Sequence, residues 1–499
     1  MKHLNHICNQ VLFNKQKVGF LLSLVNKTTI GVVWSFTEQL GRRGVGVLVT
    51  LLLAKFLTPE DFGLVAMMAV FLALGQSLMD SGFRQALIRL KNITQADFNT
   101  AFYANLVLGL LSYFILYLSA PLIAEFYEEP RLTDLIRVAS FAIIIHAFQV
   151  VQIASLSRDL NFKAQLKTSL PSSIISGCVA VFMAYLGVGV WALVMQMVLA
   201  SFLHTVLLWY VQGWKPTLTL SRKSLVGMYK FGYKIFLSGV LETIFKNIYV
   251  IVIAKIFSAN IAGLYFFADR IRELIISQLI YSVQTVTYPA LSRKQNDIES
   301  LKRGYRRVIQ VTSFVYFPIV ALLAALAEPI FLILLSEKWY DAHLYFQLLC
   351  LASVLSPLNS INLNILRVLG RSDILLGLQV FKKILLVIFL WAGLKYGVIG
   401  VLVAQIVQSV VAYYPNKYYS EKLIGYSFRE QWEDIRLQLL ISLTLGWAVL
   451  FSYTLLEIQP IISVLVFGMV FCFGYLIISY LLRSNVIDYL FEIYRKRKV

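Results

Sequence analysis

Charged residues are scarce in this 499-residue sequence. Asp, Glu, Lys and Arg together make up 14% of it, whereas hydrophobic residues make up 59% and the mean hydropathy is +0.74. A soluble globular protein carries charge on about a quarter of its residues, because its surface must stay hydrated. The composition therefore excludes an ordinary soluble protein and predicts a membrane protein.

Cysteine and histidine are also scarce, which argues against several kinds of site. The four cysteines stand singly, so the sequence predicts neither a disulfide framework nor a metal site. None of the five histidines pairs with a nucleophile, and no Walker motif is present. We therefore expect a protein that is not an enzyme and needs no cofactor.

Most of the sequence consists of long apolar segments. A helix needs about 20 residues to cross a hydrocarbon core of roughly 30 Å, and fourteen segments have that length. They are 29–56, 60–83, 98–120, 132–156, 166–186, 189–211, 226–257, 260–288, 305–327, 342–369, 373–395, 398–416, 437–456 and 461–482. Because the connections are short, the sequence predicts an all-α polytopic membrane protein without a soluble catalytic domain.

Basic residues outnumber acidic ones by 45 to 26, which gives a net charge of +19. Most of the Lys and Arg residues fall at the termini and in the even-numbered connections. Cytoplasmic loops collect basic residues in this way. The asymmetry predicts a multi-pass membrane protein with both termini in the cytoplasm, and nucleic acid is not needed as a partner to explain the charge.

One motif occurs twice, each time after an odd-numbered span. Residues 53–64 read LAKFLTPEDFGL and residues 253–264 read IAKIFSANIAGL. A second pair, YLGVGVWALV and KYGVIGVLVA, predicts a tight glycine turn between the fifth and sixth spans of each half. Six spans separate the copies, so both halves enter the membrane in the same orientation, and we expect a pseudo-two-fold axis along the membrane normal.

The repeat divides the chain into five predicted parts. They are a cytoplasmic N-terminal arm (1–28), an N-terminal six-helix bundle (29–211), a C-terminal six-helix bundle (226–416), two additional helices (437–482) and a basic cytoplasmic tail (483–499). The spans of the two additional helices contain no charged side chain, so we expect these helices to face lipid.

Ionisable side chains within the first twelve spans are the candidate functional residues, because a charge at the bilayer centre costs about 2.5–3.5 kcal/mol on insertion scales. The basic candidates for binding a substrate are Arg42, Arg43, Lys246, Arg270 and Arg272. The acidic candidates for ion coupling or ion pairing are Glu38, Asp80, Glu242, Asp269 and Glu273. Further intramembrane charges are Arg137, Lys382 and Lys383.

The spacing of these charges allows two interpretations. Glu38 and Arg42 stand four residues apart, as do Glu242 and Lys246, so each pair shares one helical face. Such pairs either hold helices together or line a cavity. Since cations predominate, a cavity would suit an anionic cargo. A pyrophosphate fits best, because the planar guanidinium group donates two parallel hydrogen bonds to phosphate oxygens.

Several segments resemble the polysaccharide transporter family of lipid-linked oligosaccharide flippases, within the multidrug, oligosaccharidyl-lipid and polysaccharide exporter superfamily. They read FLTPEDFGLVAM, LSRDLNFKAQ, KFGYKIFLSG, IFSANIAGLYFFADRI and YPALSR. The resemblance implies two bundles with alternating access. It also implies transfer of an undecaprenyl-pyrophosphate-linked oligosaccharide repeat unit from the cytoplasmic to the periplasmic leaflet, for O-antigen, capsule or exopolysaccharide synthesis. The basic candidates match the type of cavity residue that the superfamily associates with such cargo.

The resemblance also implies partners, and three alternative functions remain. The implied partners are the lipid-linked oligosaccharide and the bilayer, with the polymerase and glycosyltransferases of the same pathway as further candidates. The alternatives are a multidrug extruder of the same superfamily, a membrane-embedded polysaccharide polymerase or ligase, and a channel. A multidrug extruder would favour an acidic or aromatic cavity. A polymerase or ligase would need a large outer loop, and a channel would have a lumen without opposed charges.

Overall fold

The computed structural model describes residues 34–35, 37–456, 458–482, 484 and 486–487. The predicted N-terminal arm lies outside these residues, as does nearly all of the predicted basic tail. Within the described part of the chain, all regular structure is helical. The predicted all-α class is therefore confirmed.

The chain forms two compact units, each defined by contacts between its own residues. The first comprises the described part of Met1–Leu57 together with Leu64–Lys255. Its helices are α1 (37–56), α2 (Pro59–Asp80), α3 (Phe83–Arg89), α4 (Gln95–Tyr127), α5 (Leu132–Ala139), α6 (Phe141–Ala147), α7 (Val150–Arg158), α8 (Phe162–Tyr185), α9 (Trp191–Val211) and α10 (Arg222–Ile256). Contacts thus place α10 in the first unit, whereas the sequence assigns most of it to the C-terminal bundle; the bundle boundaries stay a prediction.

The second unit comprises Thr58–Gly63 and the described part of Ile256–Val499. Its helices are α11 (Ala259–Ser292), α12 (Ile298–Ala325), α13 (Ala327–Leu334), a 3₁₀ turn (Glu337–Trp339), α14 (Ala342–Ala352), α15 (Ser356–Val368), α16 (Ser372–Leu394), α17 (Gly397–Ile424), α18 (Phe428–Leu456) and α19 (Pro460–Leu481). The segment Thr58–Gly63 is the start of α2, so this helix contributes to both units.

The predicted count of fourteen spans is not confirmed. Among the described residues, 11 helices are long and apolar enough to cross a membrane, or up to 12 if a bent pair counts as one span. The predicted spans 29–56 and 260–288 are not among them. The first begins outside the described residues. The second corresponds to α11, whose ADRIRE run and following polar residues lower its hydropathy.

The helix starts show why the sequence repeats its motif. Thr58 caps α2: its backbone N–H donates to Asp61 Oδ2 (2.9 Å), and the N–H of Asp61 donates to Thr58 Oγ1 (3.3 Å). Ser258 in the second copy caps α11, because its Oγ accepts from the N–H of Ile261 (3.3 Å). Both hydroxyls satisfy backbone donors that a helix start leaves without partners.

The repeated glycines allow these two helix starts to touch. A Cβ added at Gly63 would lie 1.8 Å from the carbonyl oxygen of Ala259, and one added at Gly263 would lie 1.7 Å from that of Pro59. The contact is reciprocal, as two related copies packed face to face would produce. Only glycine permits so close an approach of the backbones.

The glycine turns are confirmed in part. Gly187, Gly189 and Gly397 adopt φ values of 78°, 66° and 72°, where glycine avoids the strain of a side chain. Gly400 is different, since it lies inside α17, and its Cβ would meet the carbonyl oxygen of Gly393 at 2.4 Å. It is a packing residue and not a turn residue.

The C-terminal end of α4 is bonded to the C-terminal end of α10. Glu128 ends α4 with φ 60°, and its carboxylate lies 2.7 Å from the ammonium group of Lys255. The hydrogen bond and charge of Lys255 hold the pKa of the exposed Glu128 carboxyl below its usual range. The second copy of the motif thus also contributes a contact to the first unit.

We expect Gly263→Ala to destabilise the protein. The added Cβ overlaps the carbonyl of Pro59, so two helix starts must separate, and such overpacking costs about 1–3 kcal/mol. Gly46→Ala is the matched control, because no atom lies within 4 Å of its added Cβ; alanine in a helix interior is more stable than glycine by roughly 0.5–1 kcal/mol. Thermal unfolding in detergent should give a lower Tm for the first variant only. Equal values would contradict the close contact.

Candidate functional site

A polar cavity of about 400 Å³ lies in the first unit. Side chains from α2, α3, α10 and the junction of α6 and α7 line it. Its polar lining residues are Gln76, Ser77, Asp80, Arg84, His146, Gln149 and Thr243. In membrane-spanning helices, polar groups of this kind face a water-filled cavity or the bundle interior and mark substrate or ion sites. The cavity is therefore the candidate site of the first unit.

The charged pair of the cavity is Asp80 and Arg84. Arg84 Nη2 lies 2.8 Å from Asp80 Oδ2, and the residues stand one helical turn apart in sequence. Asp80 Oδ1 is buried and has no hydrogen-bond partner in the described part of the chain. The carboxylate is therefore only half satisfied, which distinguishes it from a carboxylate that serves packing alone.

The cavity adjoins a bend in a membrane span. The stretch that ends at Ala147 and helix α7 meet at 44°. A bend frees backbone carbonyls that a straight helix would pair, and Trp209 Nε1 donates to the carbonyl of Phe148 (3.0 Å). An irregular backbone is tolerated at membrane depth when neighbouring helices satisfy it in this way.

Two side chains at the bend are bonded to α9. Gln149 is 2% exposed, and its Nε2 donates to the carbonyl of Ser201 (2.9 Å) and to Thr205 Oγ1 (2.8 Å). His146 Nε2 lies 3.0 Å from Ser201 Oγ, and its Nδ1 lies 3.2 Å from Gln149 Oε1. His146 is therefore a helix residue with both ring nitrogens in hydrogen-bonding contact.

The predicted pair at the start of the chain is present. Arg42 Nε lies 3.1 Å from Glu38 Oε1, which also accepts from Ser169 Oγ on α8 (3.1 Å). The Glu38 side chain is 14% exposed, whereas that of Arg42 is 55% exposed. The contact uses only Nε of Arg42, so its amino groups remain available for a ligand.

The charged run of α11 contains one bound and one exposed arginine. Arg272 donates from Nε (3.0 Å) and Nη2 (2.5 Å) to Asp269 Oδ1, and from Nη1 to Ser353 Oγ (2.8 Å). It therefore joins α11 to the end of α14. Arg270 is exposed, and the described residues provide it with no hydrogen bond or ion pair.

The remaining candidates of the first unit lie in other surroundings. Glu242 and Lys246 are both exposed on α10. Arg137 Nη1 lies 4.0 Å from Asp134 Oδ1, and its guanidinium group lies 4.6 Å from the ring centre of Tyr117. Arg137 is thus held within α5 and against α4.

The other predicted charged residues lie on α1, α11 and α16. Arg43 is half-buried on α1, and Glu273 is half-buried on α11. Lys382 and Lys383 are half-buried near the middle of α16, and Lys382 makes no hydrogen bond or ion pair within the described ranges. The candidates up to Lys246 belong to the first unit and those from Asp269 onward to the second. Their roles stay predictions.

Sequence reasoning predicted only Asp80 among the seven polar residues that line the cavity and missed the other six. Arg84 follows Asp80 by four positions, a spacing that could have shown the pair. His146 and Gln149 stand three positions apart in an otherwise apolar segment, which is the polar signal that was available. The bend at Phe148 carries no such signal, because neither proline nor glycine is near it.

Comparisons with known proteins agree with this architecture. Residues 52–344 match the family described as polysaccharide biosynthesis protein. The chain is similar to the lipopolysaccharide biosynthesis protein WzxC of Escherichia coli (strain K12), with 25% identity over 437 residues, 85% of this chain and 87% of that protein. It is also similar to the succinoglycan biosynthesis transport protein ExoT of Rhizobium meliloti (strain 1021), with 26% identity over 336 residues, 67% of this chain and 68% of that protein.

A solved structure shares the fold. The lipid II flippase MurJ in its inward closed conformation matches with a TM-score of 0.74 and 17% sequence identity. The match covers 91% of this chain and 100% of that one. At this identity the likeness concerns the fold alone.

We expect the cavity to be open to water. In a variant without native cysteines, Ser77→Cys should react with a small water-soluble methanethiosulfonate reagent, because Ser77 lines the cavity. Ser112→Cys is the control, since Ser112 is 1% exposed and its Oγ donates to the carbonyl of Leu108 (2.7 Å). Mass spectrometry measures both rates. Equal rates at the two positions would contradict an open cavity.

Proposed function

This chain belongs to the polysaccharide biosynthesis protein family, and on that premise we propose that it flips an undecaprenyl-pyrophosphate-linked oligosaccharide repeat unit across the inner membrane. The cargo moves from the cytoplasmic to the periplasmic leaflet by alternating access. Two sequence relatives are named for lipopolysaccharide biosynthesis and for succinoglycan biosynthesis transport, and the protein that shares the fold is a lipid II flippase. These names support a lipid-linked saccharide as the cargo.

The observation that carries the proposal is the exposed state of two arginines, Arg42 on α1 and Arg270 on α11. Arg42 uses one donor on Glu38, and Arg270 has no hydrogen bond or ion pair in the described part of the chain. In a membrane span, as the sequence predicts for both helices, a cation would cost about 2.5–3.5 kcal/mol at the bilayer centre, so an arginine without an ion pair, such as Arg270, implies a ligand or a hydrated surface. A pyrophosphate offers several oxygens to such groups.

The five basic candidates do not contribute equally. Arg272 already satisfies Asp269 and Ser353, so its role in this proposal is to hold α11 and thereby place Arg270. Arg42 and Lys246 are exposed in the first unit and supply positive charge there. Arg43 adjoins Arg42 and adds to the same charge.

Transport needs a source of free energy. The sequence has no Walker motif, so an ion gradient or the downstream consumption of the flipped product must supply it. The acidic candidates are Glu38, Asp80, Glu242, Asp269 and Glu273, and Asp80 has a buried carboxylate oxygen without a hydrogen-bond partner in the described part of the chain. The polymerase and glycosyltransferases of the pathway are the proposed protein partners.

The proposal predicts the effect of removing the cations. Arg42→Ala, Lys246→Ala and Arg270→Ala should each reduce polysaccharide export while protein abundance stays near normal. The loss of one charge-assisted hydrogen bond, worth about 1.5–3 kcal/mol, weakens binding roughly tenfold to a hundredfold. Lys338→Ala is the control, since Lys338 is an exposed cation in the 3₁₀ turn that precedes α14. Export is measured in cells whose own flippase gene is deleted, beside the abundance of each variant.

A double variant distinguishes binding from ion pairing. If Arg42 only neutralises Glu38, then Arg42→Ala should lower abundance, and Glu38→Gln with Arg42→Gln should restore both abundance and export. If Arg42 binds the cargo, the double variant should be abundant but inactive. An abundant and active double variant would contradict the cargo-binding role.

A further inference from the structure

The hydrogen bonds around His146 determine where its first proton lies. Gln149 Nε2 has two acceptors, the carbonyl of Ser201 (2.9 Å) and Thr205 Oγ1 (2.8 Å). This fixes the orientation of the amide, so Gln149 Oε1 faces His146 Nδ1 at 3.2 Å. An amide oxygen only accepts hydrogen bonds. Nδ1 therefore carries a hydrogen in the neutral imidazole.

The second ring nitrogen faces a hydroxyl with one hydrogen and two neighbours. Ser201 Oγ lies 3.0 Å from His146 Nε2 and 2.9 Å from the carbonyl of Met197. While the imidazole is neutral, Nε2 and the carbonyl are both acceptors, and the hydroxyl hydrogen can serve only one of them. When Nε2 is protonated, it donates to Ser201 Oγ, and the hydroxyl donates to Met197. Both contacts then become hydrogen bonds.

We propose that His146 is a proton-binding site and that Gln149 and Ser201 position it for that role. Binding adds one proton from cavity water to Nε2, raises the charge of the site by one, and leaves the site with one more hydrogen bond than before. Here the serine hydroxyl can take either role, so both states of the ring are satisfied.

The surrounding charges oppose and support the added proton. Asp80 on α2 lines the same cavity and has an unpartnered, buried Oδ1, so it offers compensating negative charge. Burial of the ring opposes its charge most, and Arg84 on α3 and His204 on α9 also oppose it. Helix α10 contributes only the neutral Thr243 to the cavity lining. The proton therefore binds at a site that already contains one anion and one cation.

This inference rests on the proposed function in one respect, the use made of the proton. His146 lies beside the bend between α6 and α7, and its partner Gln149 bonds that bend to α9. A change of charge there alters the hydrogen bonds of a junction between helices. His146 is thus placed to couple a proton gradient to movement of the first unit.

The protonation itself is tested without transport. The full-length protein is labelled with ¹⁵N-histidine, and the imidazole signals are followed across roughly pH 5–8, the range in which histidine changes charge. The His146 signal is assigned by its loss in His146→Gln, and independently in a variant whose other four histidines are replaced by Gln. The neutral ring should carry its hydrogen on Nδ1, and the second proton should appear on Nε2 within this range.

Two variants separate this site from an ordinary histidine. Ser201→Ala removes the acceptor for Nε2–H, so the protonated fraction of His146 at a fixed pH should fall. His343→Gln is the control, because His343 lies in another unit beside the exposed Tyr340, and the His146 signal should not change. A His146 ring that stays neutral down to about pH 5, or one that ignores Ser201→Ala, would overturn the proposal.

A transport measurement then distinguishes the two proposals. In proteoliposomes, an imposed pH gradient should accelerate exchange of lipid-linked oligosaccharide by the wild type but not by His146→Gln, each compared with its own rate without a gradient. Equal acceleration in the wild type and in His146→Gln would overturn the coupling role. If the wild type moves no lipid-linked oligosaccharide, the proposed function fails, while the titration still decides whether His146 binds the proton.

Discussion

Hydrocarbon offers no hydrogen bonds, and this constraint determines where the polar side chains of the protein lie. In a membrane span, each buried polar group must find a partner in the protein or border a hydrated cavity. Asp434 shows the first solution: it accepts from Arg306 Nε (2.6 Å) and Nη2 (2.9 Å), from Gln310 (2.7 Å) and from the hydroxyl of Tyr426 (2.7 Å). Its side chain is 1% exposed and fully satisfied. It joins α12 to α18 and needs no ligand.

Asp80 shows the second solution. It has one partner, Arg84, and one buried oxygen without a partner among the described residues, and it borders a cavity. The same contrast separates Arg272, which is bonded to Asp269 and Ser353, from the exposed Arg270 two positions earlier. Satisfied charges hold helices together, and incompletely satisfied ones are available for cargo and protons. The function proposed for this family member depends on the second group.

The sequence predicts much of the fold because local chemistry is visible in it. Hydropathy and length indicate the helical class, and the repeated motif predicts related helix starts, where Thr58 and Ser258 are now seen as caps. The i,i+4 spacing predicts the contact of Glu38 with Arg42. These features depend on residues close together in the chain, for which spacing fixes geometry.

The same reasoning cannot predict contacts between residues that are far apart in the sequence. Arg306 and Asp434 are 128 positions apart, and His146 and Ser201 are 55 apart, so no spacing rule connects them. The bend beside Phe148 is stabilised by Trp209 on another helix and not by a local breaking residue. The cavity depends on these contacts, so its members were only partly predictable from the sequence.

The central claim is that this protein moves a lipid-linked anionic saccharide, and reconstitution tests it most directly. The purified protein is placed in liposomes that contain a fluorescent undecaprenyl-pyrophosphate-linked oligosaccharide in both leaflets, and an impermeant quencher is added outside. The account predicts that fluorescence beyond the outer-leaflet fraction is lost when the protein is present, and that protein-free liposomes keep it. Equal quenching with and without the protein would contradict the account.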